Sequence, residues 1–299
     1  MHTHVRDFRS VAVLGLGLMG RGIAQVITQA GIPVVVLETG EHRLAAGVEA
    51  IAAFLAEGVR RGKVTPEQRE ATLGRFTGTT DVADLATADL VIEAVVERAE
   101  VKRELLAAVG GVVAADAVVA TNTSALSVTD LAAAVPSPQR VAGLHFFNPA
   151  PLMPVVEVVA ALQTDPAVTA ALTAFVERIG KVAVPVRDRP GFLVNKLLMP
   201  YLNDVVDELD AGLASAEDID IALRLGLGYR MGPLELLDLI GLDTHHHATT
   251  SAYRATLDPQ FAPPPLLGQM VAAGYLGRKS GRGFRVGCPA ADTEEVAAP

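Results

Sequence analysis

The sequence predicts an α/β fold in which a doubly wound parallel sheet is followed by an all-α domain. Short, valine-rich runs alternate with helical patterns in the first part of the chain, which is typical of buried parallel strands joined by helices. Strand patterns become rare after residue 186, where the polar run Arg187–Gly191 contains two helix and strand breakers. We therefore expect two domains, residues 1–186 with the sheet and residues 187–299 with helices.

Each expected strand is a short, mostly apolar run bounded by polar or breaker residues. The predicted strands are Val11–Gly15, Val34–Leu37, Leu90–Ala94, Val118–Thr121, Arg140–His145 and Val155–Val159. Between the first two, Ile23, Val26, Ile27 and Ala30 recur at the spacing of one helix face. Further helices are expected from near Glu41, after Thr65 and Ser215, from Pro233, and over Asn195–Leu213 with a kink at Pro200.

Charge and cysteine content exclude several classes of function. The 299 residues carry 25 Lys and Arg against 34 Asp and Glu, so the net charge of −9 gives no general attraction for nucleic acid or anionic lipid. No apolar run approaches the roughly 18 residues that cross a bilayer. Lone Cys288 can form neither an intrachain disulfide nor a structural zinc site. We expect a cytoplasmic protein that binds neither nucleic acid nor membranes.

A glycine-rich turn, Gly15-Leu-Gly17-Leu18-Met19-Gly20, links the first strand to the first helix. In a Rossmann-type domain the three glycines allow a tight turn, close approach of a pyrophosphate and close helix–strand packing, and the helix N-terminus attracts the phosphates. Glu38 follows the second strand at the position where an acid binds the ribose 2′-hydroxyl and repels a 2′-phosphate. The combination predicts NAD, although nearby Arg43 leaves NADP open.

His145 stands at the end of a predicted strand, where open α/β sheets place their ligands. Prolines at 149, 151 and 154 exclude a helix, so the chain is expected to turn back and bring Glu157 beside His145. A carboxylate beside an imidazole fixes its tautomer and makes it a better general base. From spacing alone, the favoured interpretation is a buried structural histidine with an unrelated glutamate.

Several further motifs occur in order along the chain: Asn122-Thr-Ser124-Ala-Leu-Ser, His145-Phe-Phe-Asn148-Pro149, Glu157, Arg189-Pro-Gly-Phe-Leu-Val-Asn195 and Gly277-Arg-Lys279-Ser-Gly-Arg-Gly-Phe284. Together they resemble the 3-hydroxyacyl-CoA dehydrogenase family, most nearly its stand-alone bacterial 3-hydroxybutyryl-CoA dehydrogenases. The resemblance runs from about residue 10 to residue 285. It implies NAD-dependent, reversible oxidation of an L-3-hydroxyacyl-CoA in fatty acid metabolism, by a homodimer joined through its helical domains.

The resemblance also implies roles for individual residues. His145 would be the base and Glu157 would orient it, while Ser124, Asn148 and Asn195 would contact the substrate. The implied cofactor contacts are Gly15, Gly17, Leu18, Met19, Gly20, Glu38, Glu97, Lys102, Asn122, Ser124, Asn148 and Lys279. Without the resemblance, Asn122 and Ser124 could cap a loop and Asn195 could cap a helix.

Three further features have open interpretations. The basic run Arg60-Arg61-Gly62-Lys63 could hold the anionic CoA through Lys63, or could be a solvated helix end. His245-His246-His247 cannot jointly face one metal ion from a helix, so we expect one buried and two exposed histidines and no metal. The seven acids between Asp204 and Asp220 predict a solvated face or the charged rim of a subunit contact.

Two other classes compete with this hypothesis. The glycine loop also resembles the 3-hydroxyisobutyrate dehydrogenase group, whose catalytic lysine could be matched to Lys196 with Asn203 beyond it, but this spacing fits poorly. L-gulonate 3-dehydrogenase is a better-matched version of that alternative. A non-enzymatic nucleotide-binding protein, as lambda-crystallins are, is the second alternative.

Overall fold

A computed structural model of the protein describes residues 6–285, so Cys288 lies outside the described residues. The chain divides into two compact units between Arg189 and Pro190. The described part of the first unit contains an eight-stranded sheet with helices, and that of the second contains helices with one isolated β-bridge, Gly277–Arg282. Within residues 6–285, a search for helices long and apolar enough to cross a bilayer finds none.

The sheet of the first unit has the strand order β3-β2-β1-β4-β5-β6-β7-β8. All neighbouring pairs are parallel except β6 and β7, which are antiparallel. The strands are β1 (Val11–Leu14), β2 (Val34–Leu37), β3 (Phe76–Thr79), β4 (Leu90–Glu93), β5 (Val118–Thr121), β6 (Val141–Phe146), β7 (Val155–Ala160) and β8 (Val182–Arg187). The strand order reverses between β1 and β4, which is where such sheets open a ligand crevice at their carboxyl ends.

Both faces of the sheet are covered by apolar side chains. In β1, Val11 and Val13 join one buried cluster, whereas Ala12 and Leu14 join another on the opposite face. Helices α1 (Leu18–Gln29) and α6 (Pro166–Arg178) contribute to the first cluster. The remaining helices of this unit are α2 (Glu41–Arg60), α3 (Pro66–Leu73), α4 (Ala99–Gly110) and α5 (Val128–Ala132). This two-sided covering confirms the predicted doubly wound α/β architecture.

Six strands lie where the sequence predicted them, within one residue at each end, but β3 and β8 were missed. Strand β3 consists of Phe76, two threonines and a glycine, so it lacks an apolar run. Strand β8 contains Pro185, which cannot donate to a ladder and therefore argues against a central strand. Because β8 lies at the edge of the sheet, the proline is tolerated there.

The second unit is built from five α-helices within the described residues. They are α7 (Val194–Asp210), α8 (Ala216–Leu227), α9 (Pro233–Ile240), α10 (Leu242–Thr256) and α11 (Pro265–Ala272). Their core includes Leu202, Val206, Leu234 and Leu267. Helix α7 was predicted to run to Leu213, but it ends at Asp210 because the chain turns at Gly212, whose φ is +73°.

Candidate active site

The glycine loop between β1 and α1 has the geometry that a dinucleotide needs. Gly15 has a φ of +86°, and a Cβ on Gly20 would stand 1.9 Å from the Gly15 carbonyl oxygen, so both positions require glycine. At Gly17, by contrast, an added Cβ would meet no heavy atom within 4 Å, and no side chain caps the N-terminus of α1 there. The loop therefore leaves open space in front of a helix N-terminus, which fits a pyrophosphate.

Glu38 directly follows β2 and reaches this loop. Its Oε1 accepts a hydrogen bond from the Leu16 backbone N–H at 2.7 Å, and its Oε2 accepts one from the Thr39 N–H at 2.9 Å. The side chain is half-buried, whereas Arg43 is exposed on α2. The carboxylate that is predicted to bind the ribose 2′-hydroxyl therefore lies beside the glycine turn.

His145 and Glu157 face each other across the antiparallel pair β6 and β7. The two residues are opposite in the register, and His145 Nδ1 lies 2.6 Å from Glu157 Oε2. Both are buried, with exposed fractions of 5% for His145 and 0% for Glu157. A carboxylate that accepts from Nδ1–H selects the tautomer in which Nε2 carries the lone pair. The predicted fold-back is present, which removes the interpretation of two unrelated side chains.

The segment after β5 carries Asn122 and Ser124, and Asn122 contacts the end of β6. Asn122 Oδ1 accepts from the Phe146 N–H at 2.9 Å, so it ties the ends of β5 and β6 together. Ser124 is exposed, and its backbone N–H donates to Glu97 Oε1 at 2.8 Å. Asn148, in the segment between β6 and β7, is exposed as well.

Glu97, in the segment after the neighbouring strand β4, holds the segment after β5 in place. Besides Ser124, its Oε1 accepts from Thr123 Oγ1 at 2.5 Å and from the Ala125 N–H at 3.2 Å. Burial raises the pKa of the Glu97 carboxyl, but the neighbouring Lys102 ammonium and these hydrogen bonds outweigh it and hold the pKa below its ordinary value. The carboxylate is therefore ionised at neutral pH.

Lys102 lies deeper than a cofactor contact would suggest. Its side chain is 1% exposed, and its Nζ lies 2.7 Å from Glu93 Oε1 and 3.2 Å from Glu97 Oε2. Glu93, at the end of β4, is fully buried and was not among the predicted site residues. The pattern Glu93-Ala-Val-Val-Glu97 followed by Lys102 was visible in the sequence, but only the fold brings the three side chains into contact.

The second unit carries three more of the residues that the sequence selected. Asn195 is the second residue of α7 and is half-buried, and the N-cap is Leu193, so Asn195 does not cap the helix. Lys279 Nζ lies 2.5 Å from Asp243 Oδ1. Lys196 Nζ lies over the Phe261 ring, 5.3 Å from its centroid, which does not support its use as a catalytic lysine.

The histidine cluster has one buried member, as expected, but His246 is half-buried, so only His247 is exposed. His245 Nε2 lies 3.0 Å from the Oδ1 of Asn203, and burial and the neighbouring His246 lower the His245 pKa to about 4. Within residues 6–285 no group of three His, Cys, Asp or Glu side chains has the arrangement of a metal site.

The acidic run has two kinds of members. Asp220 is buried and accepts hydrogen bonds from the Leu234 N–H and the Glu235 N–H at 2.8 and 3.1 Å, so it anchors α9 instead of forming part of a solvated face. Asp207 is exposed on α7, and partial burial of its carboxyl together with the nearby charges of Asp204, Asp210 and Glu208 raises its pKa.

The basic run after α2 keeps Lys63 at the surface. Arg60 and Arg61 both pair with Glu57, which neutralises part of the charge, and Lys63 is exposed. Its predicted contact with CoA stays a prediction.

Comparison with known proteins identifies the family. The family model described as 3-hydroxyacyl-CoA dehydrogenase, NAD binding domain, matches residues 10–189, and the model of the C-terminal domain matches residues 191–286. The chain belongs to the 3-hydroxyacyl-CoA dehydrogenase family. It is accordingly an NAD-dependent oxidoreductase, and the fold and family predicted from the sequence are confirmed.

Individual relatives of this dehydrogenase cover nearly the whole chain. A 3-hydroxybutyryl-CoA dehydrogenase of Mycobacterium tuberculosis is 48% identical over 276 residues, 92% of this chain and 96% of the relative. A 3-hydroxyadipyl-CoA dehydrogenase of Escherichia coli is 44% identical over 93% of this chain and 58% of the relative. The crystal structure of an (S)-3-hydroxybutyryl-CoA dehydrogenase from Ralstonia eutropha matches with a TM-score of 0.91 at 40% identity, covering 94% of this chain and 99% of that one.

Proposed function

We propose that this dehydrogenase oxidises a short-chain L-3-hydroxyacyl-CoA, (S)-3-hydroxybutyryl-CoA, reversibly to the 3-ketoacyl-CoA with NAD. The proposal rests on the buried His145–Glu157 pair, whose Nδ1 and Oε2 atoms are 2.6 Å apart. The two residues lie opposite each other on β6 and β7, near the carboxyl end of β6. A hydroxyl group must lose a proton when it becomes a ketone, and an oriented imidazole is suited to accept it.

In the oxidation, His145 Nε2 takes the proton from the C3 hydroxyl of the substrate while the C3–H bond breaks. When bound, NAD accepts the hydride that leaves C3. Glu157 stabilises the imidazolium that His145 becomes, because its buried carboxylate lies 2.6 Å from Nδ1. In the reverse direction the same imidazolium returns the proton to the ketone oxygen.

The first domain, residues 1–186, is assigned to NAD and the second, residues 187–299, to substrate binding and dimerisation. The open space at Gly17, with Leu18 and Met19 in the first turn of α1, would receive the pyrophosphate. Glu38 would bind the adenosine ribose and disfavour NADP. The family's remaining cofactor contacts fall on Gly15, Gly20, Glu97, Lys102, Asn122, Ser124, Asn148 and Lys279.

On the substrate side, the exposed Ser124 and Asn148 and the half-buried Asn195 would bind the oxygen atoms of the acyl group. Exposed Lys63 would contact CoA phosphates, since an acidic protein needs a local cation for a polyanion. The relative that acts on 3-hydroxyadipyl-CoA supports a longer, acidic acyl chain as the second candidate substrate.

The proposal includes a cytoplasmic homodimer that acts in fatty acid metabolism. Helices α7 to α9 expose large apolar side chains, among them Leu197, Leu225, Leu227 and Leu239 with exposed fractions of 43–72%, which favours a subunit interface there. Light scattering coupled to size-exclusion chromatography should give twice the chain mass. A monomer at micromolar concentration would contradict this part of the proposal.

The test of the proposed function is a substrate panel in both directions, with acetoacetyl-CoA, 3-hydroxyadipyl-CoA, free acetoacetate and L-gulonate. We expect NADH oxidation with acetoacetyl-CoA, and a loss of at least about 100-fold in kcat for His145→Ala. Activity with L-gulonate alone would assign the chain to the related hydroxy-acid dehydrogenases. NADH binding without any turnover would favour a crystallin-like role.

A further inference from the structure

Glu93 is a carboxylate at the centre of the sheet that the proposed reaction does not use. It ends β4, between β1 and β5, and none of its surface is exposed. A charge at such a depth is retained only where other groups compensate it. Its Oε1 accepts from Lys102 Nζ at 2.7 Å and from the Val95 N–H at 2.7 Å, and its Oε2 accepts from Thr121 Oγ1 at 2.6 Å.

The contacts continue from Glu93 to the exposed segment that carries Ser124. Lys102 Nζ lies between two carboxylates, since it is also 3.2 Å from Glu97 Oε2. The other oxygen of Glu97 accepts from Thr123 Oγ1 and from the N–H groups of Ser124 and Ala125. Glu93, Lys102 and Glu97 thus form a continuous series of ion pairs from the sheet interior to this segment.

We infer that Glu93 is a positioning residue, which holds Lys102 between the two carboxylates and thereby fixes Glu97 and the segment with Ser124. Lys102 is 1% exposed and pairs with Glu97 as well as with Glu93, so a change at Glu93 reaches the exposed segment through Glu97. Without the Glu93 charge, Lys102 would be drawn to Glu97 alone, and Glu97 would no longer accept from the Ser124 and Ala125 N–H groups in the same geometry. The inference rests on the role proposed above for Ser124.

The first test measures how well the amide hydrogens of the segment with Ser124 are protected, and it requires no substrate turnover. In Glu93→Gln, amide hydrogen exchange of the peptide that spans Thr123 to Ala125 should accelerate, while peptides of the glycine loop keep their rates. The matched control is Glu100→Gln, which removes an exposed negative charge from the first turn of α4, the helix of Lys102, and should leave all rates unchanged. Unchanged exchange in Glu93→Gln would overturn the inference, whatever substrate the enzyme uses.

The second test measures the effect of Glu93→Gln on catalysis and on NADH binding. In Glu93→Gln we expect kcat with acetoacetyl-CoA to fall about 10- to 100-fold, because small displacements of positioning groups have effects of that size. The dissociation constant for NADH should rise by a smaller factor than kcat falls, since the contacts proposed for the adenosine half, at Glu38 and the glycine loop, are not displaced. Equal losses in NADH affinity, thermal stability and kcat would indicate a general structural role and would contradict the inference.

A double variant tests whether Glu93 acts through Lys102. The losses in kcat for Glu93→Gln and Lys102→Met should not multiply, so the double variant should lose about as much as the more impaired single variant. Multiplied losses would mean independent roles and would overturn the inference. If Glu93→Gln does not fold, the double variant decides, because it removes the buried pair together. A folded double variant with lowered kcat supports the inference, whereas an unfolded or fully active one refutes it.

Discussion

Acidification should destabilise the protein through His245. This histidine is 4% exposed and its Nε2 lies 3.0 Å from Asn203 Oδ1. Asn203 Nδ2 in turn donates to Thr249 Oγ1 at 2.8 Å and to the carbonyl oxygens of Gln260 and Ala262. Since the Asn203 amide nitrogen faces acceptors, its oxygen faces His245, which must carry its proton on Nε2. The neutral imidazole is therefore part of a buried network between α7, α10 and the segment before α11.

The magnitude follows from the His245 pKa, which falls from its ordinary 6.5 to about 4 in the folded protein. Between these two values the unfolded chain binds more protons than the folded one, so the free energy of unfolding decreases as the pH falls from about 6.5 to about 4. At about 1.4 kcal/mol for each pH unit, the whole interval amounts to about 3 kcal/mol. Well above pH 6.5, where the histidine is deprotonated in both states, the contribution of His245 is constant.

The assay compares the wild type with His245→Gln, whose side-chain N–H can still donate to Asn203 but does not titrate. The chain has no Trp, so urea unfolding is followed by far-ultraviolet circular dichroism at a series of pH values from 7.5 to 4. Other titrating groups contribute equally to both proteins and cancel in the difference. We expect the wild type to lose about 3 kcal/mol more than the variant over this range. Parallel curves would refute the buried, neutral state of His245.

Four further variants test the cofactor loop, the partner of the base and the selection of the cofactor. Gly17→Ala should keep the melting temperature of the wild type but weaken NADH binding in a fluorescence titration. Gly20→Ala should instead lower the free energy of unfolding by at least about 1–3 kcal/mol, because its methyl group would overlap the backbone. Glu157→Gln should reduce kcat by at least about 100-fold in the NADH oxidation assay, with little change in NADH affinity. Glu38→Ser should shift the ratio of kcat/KM values from NAD towards NADP, and an unchanged ratio would exclude Glu38 as the selecting residue.

Short sequence patterns were sufficient to predict those elements whose structure depends mainly on neighbouring residues. Valine-rich runs predicted β1 and its parallel neighbours because strands buried on both faces need continuous apolar residues. The capping box at Thr65, where Gln68 N donates to Thr65 Oγ1 at 3.1 Å, confirms the helix start predicted after Thr65. The contact between Glu157 and His145 could be predicted from the sequence because the prolines between them allow only a turn and a return strand.

Other parts depend on contacts that no short pattern encodes. Strand β8 owes its place to the edge of the sheet, where Pro185 is tolerated. Lys102, which sequence reasoning treated as a ligand contact, points into the protein because buried Glu93 lies opposite it. Asp220, in a run that looked solvated, is likewise buried under α9. In each case a partner distant in the sequence, or the position in the sheet, decides the environment.

The most direct test of the account is the steady-state reduction of acetoacetyl-CoA by NADH, measured for the wild type and for His145→Ala with free acetoacetate as the comparison substrate. We expect turnover of the thioester by the wild type, little turnover of the free acid, and a kcat that is at least about 100-fold lower in the variant while NADH still binds. Turnover that is equal in the two proteins, or that is confined to free hydroxy acids, would contradict it.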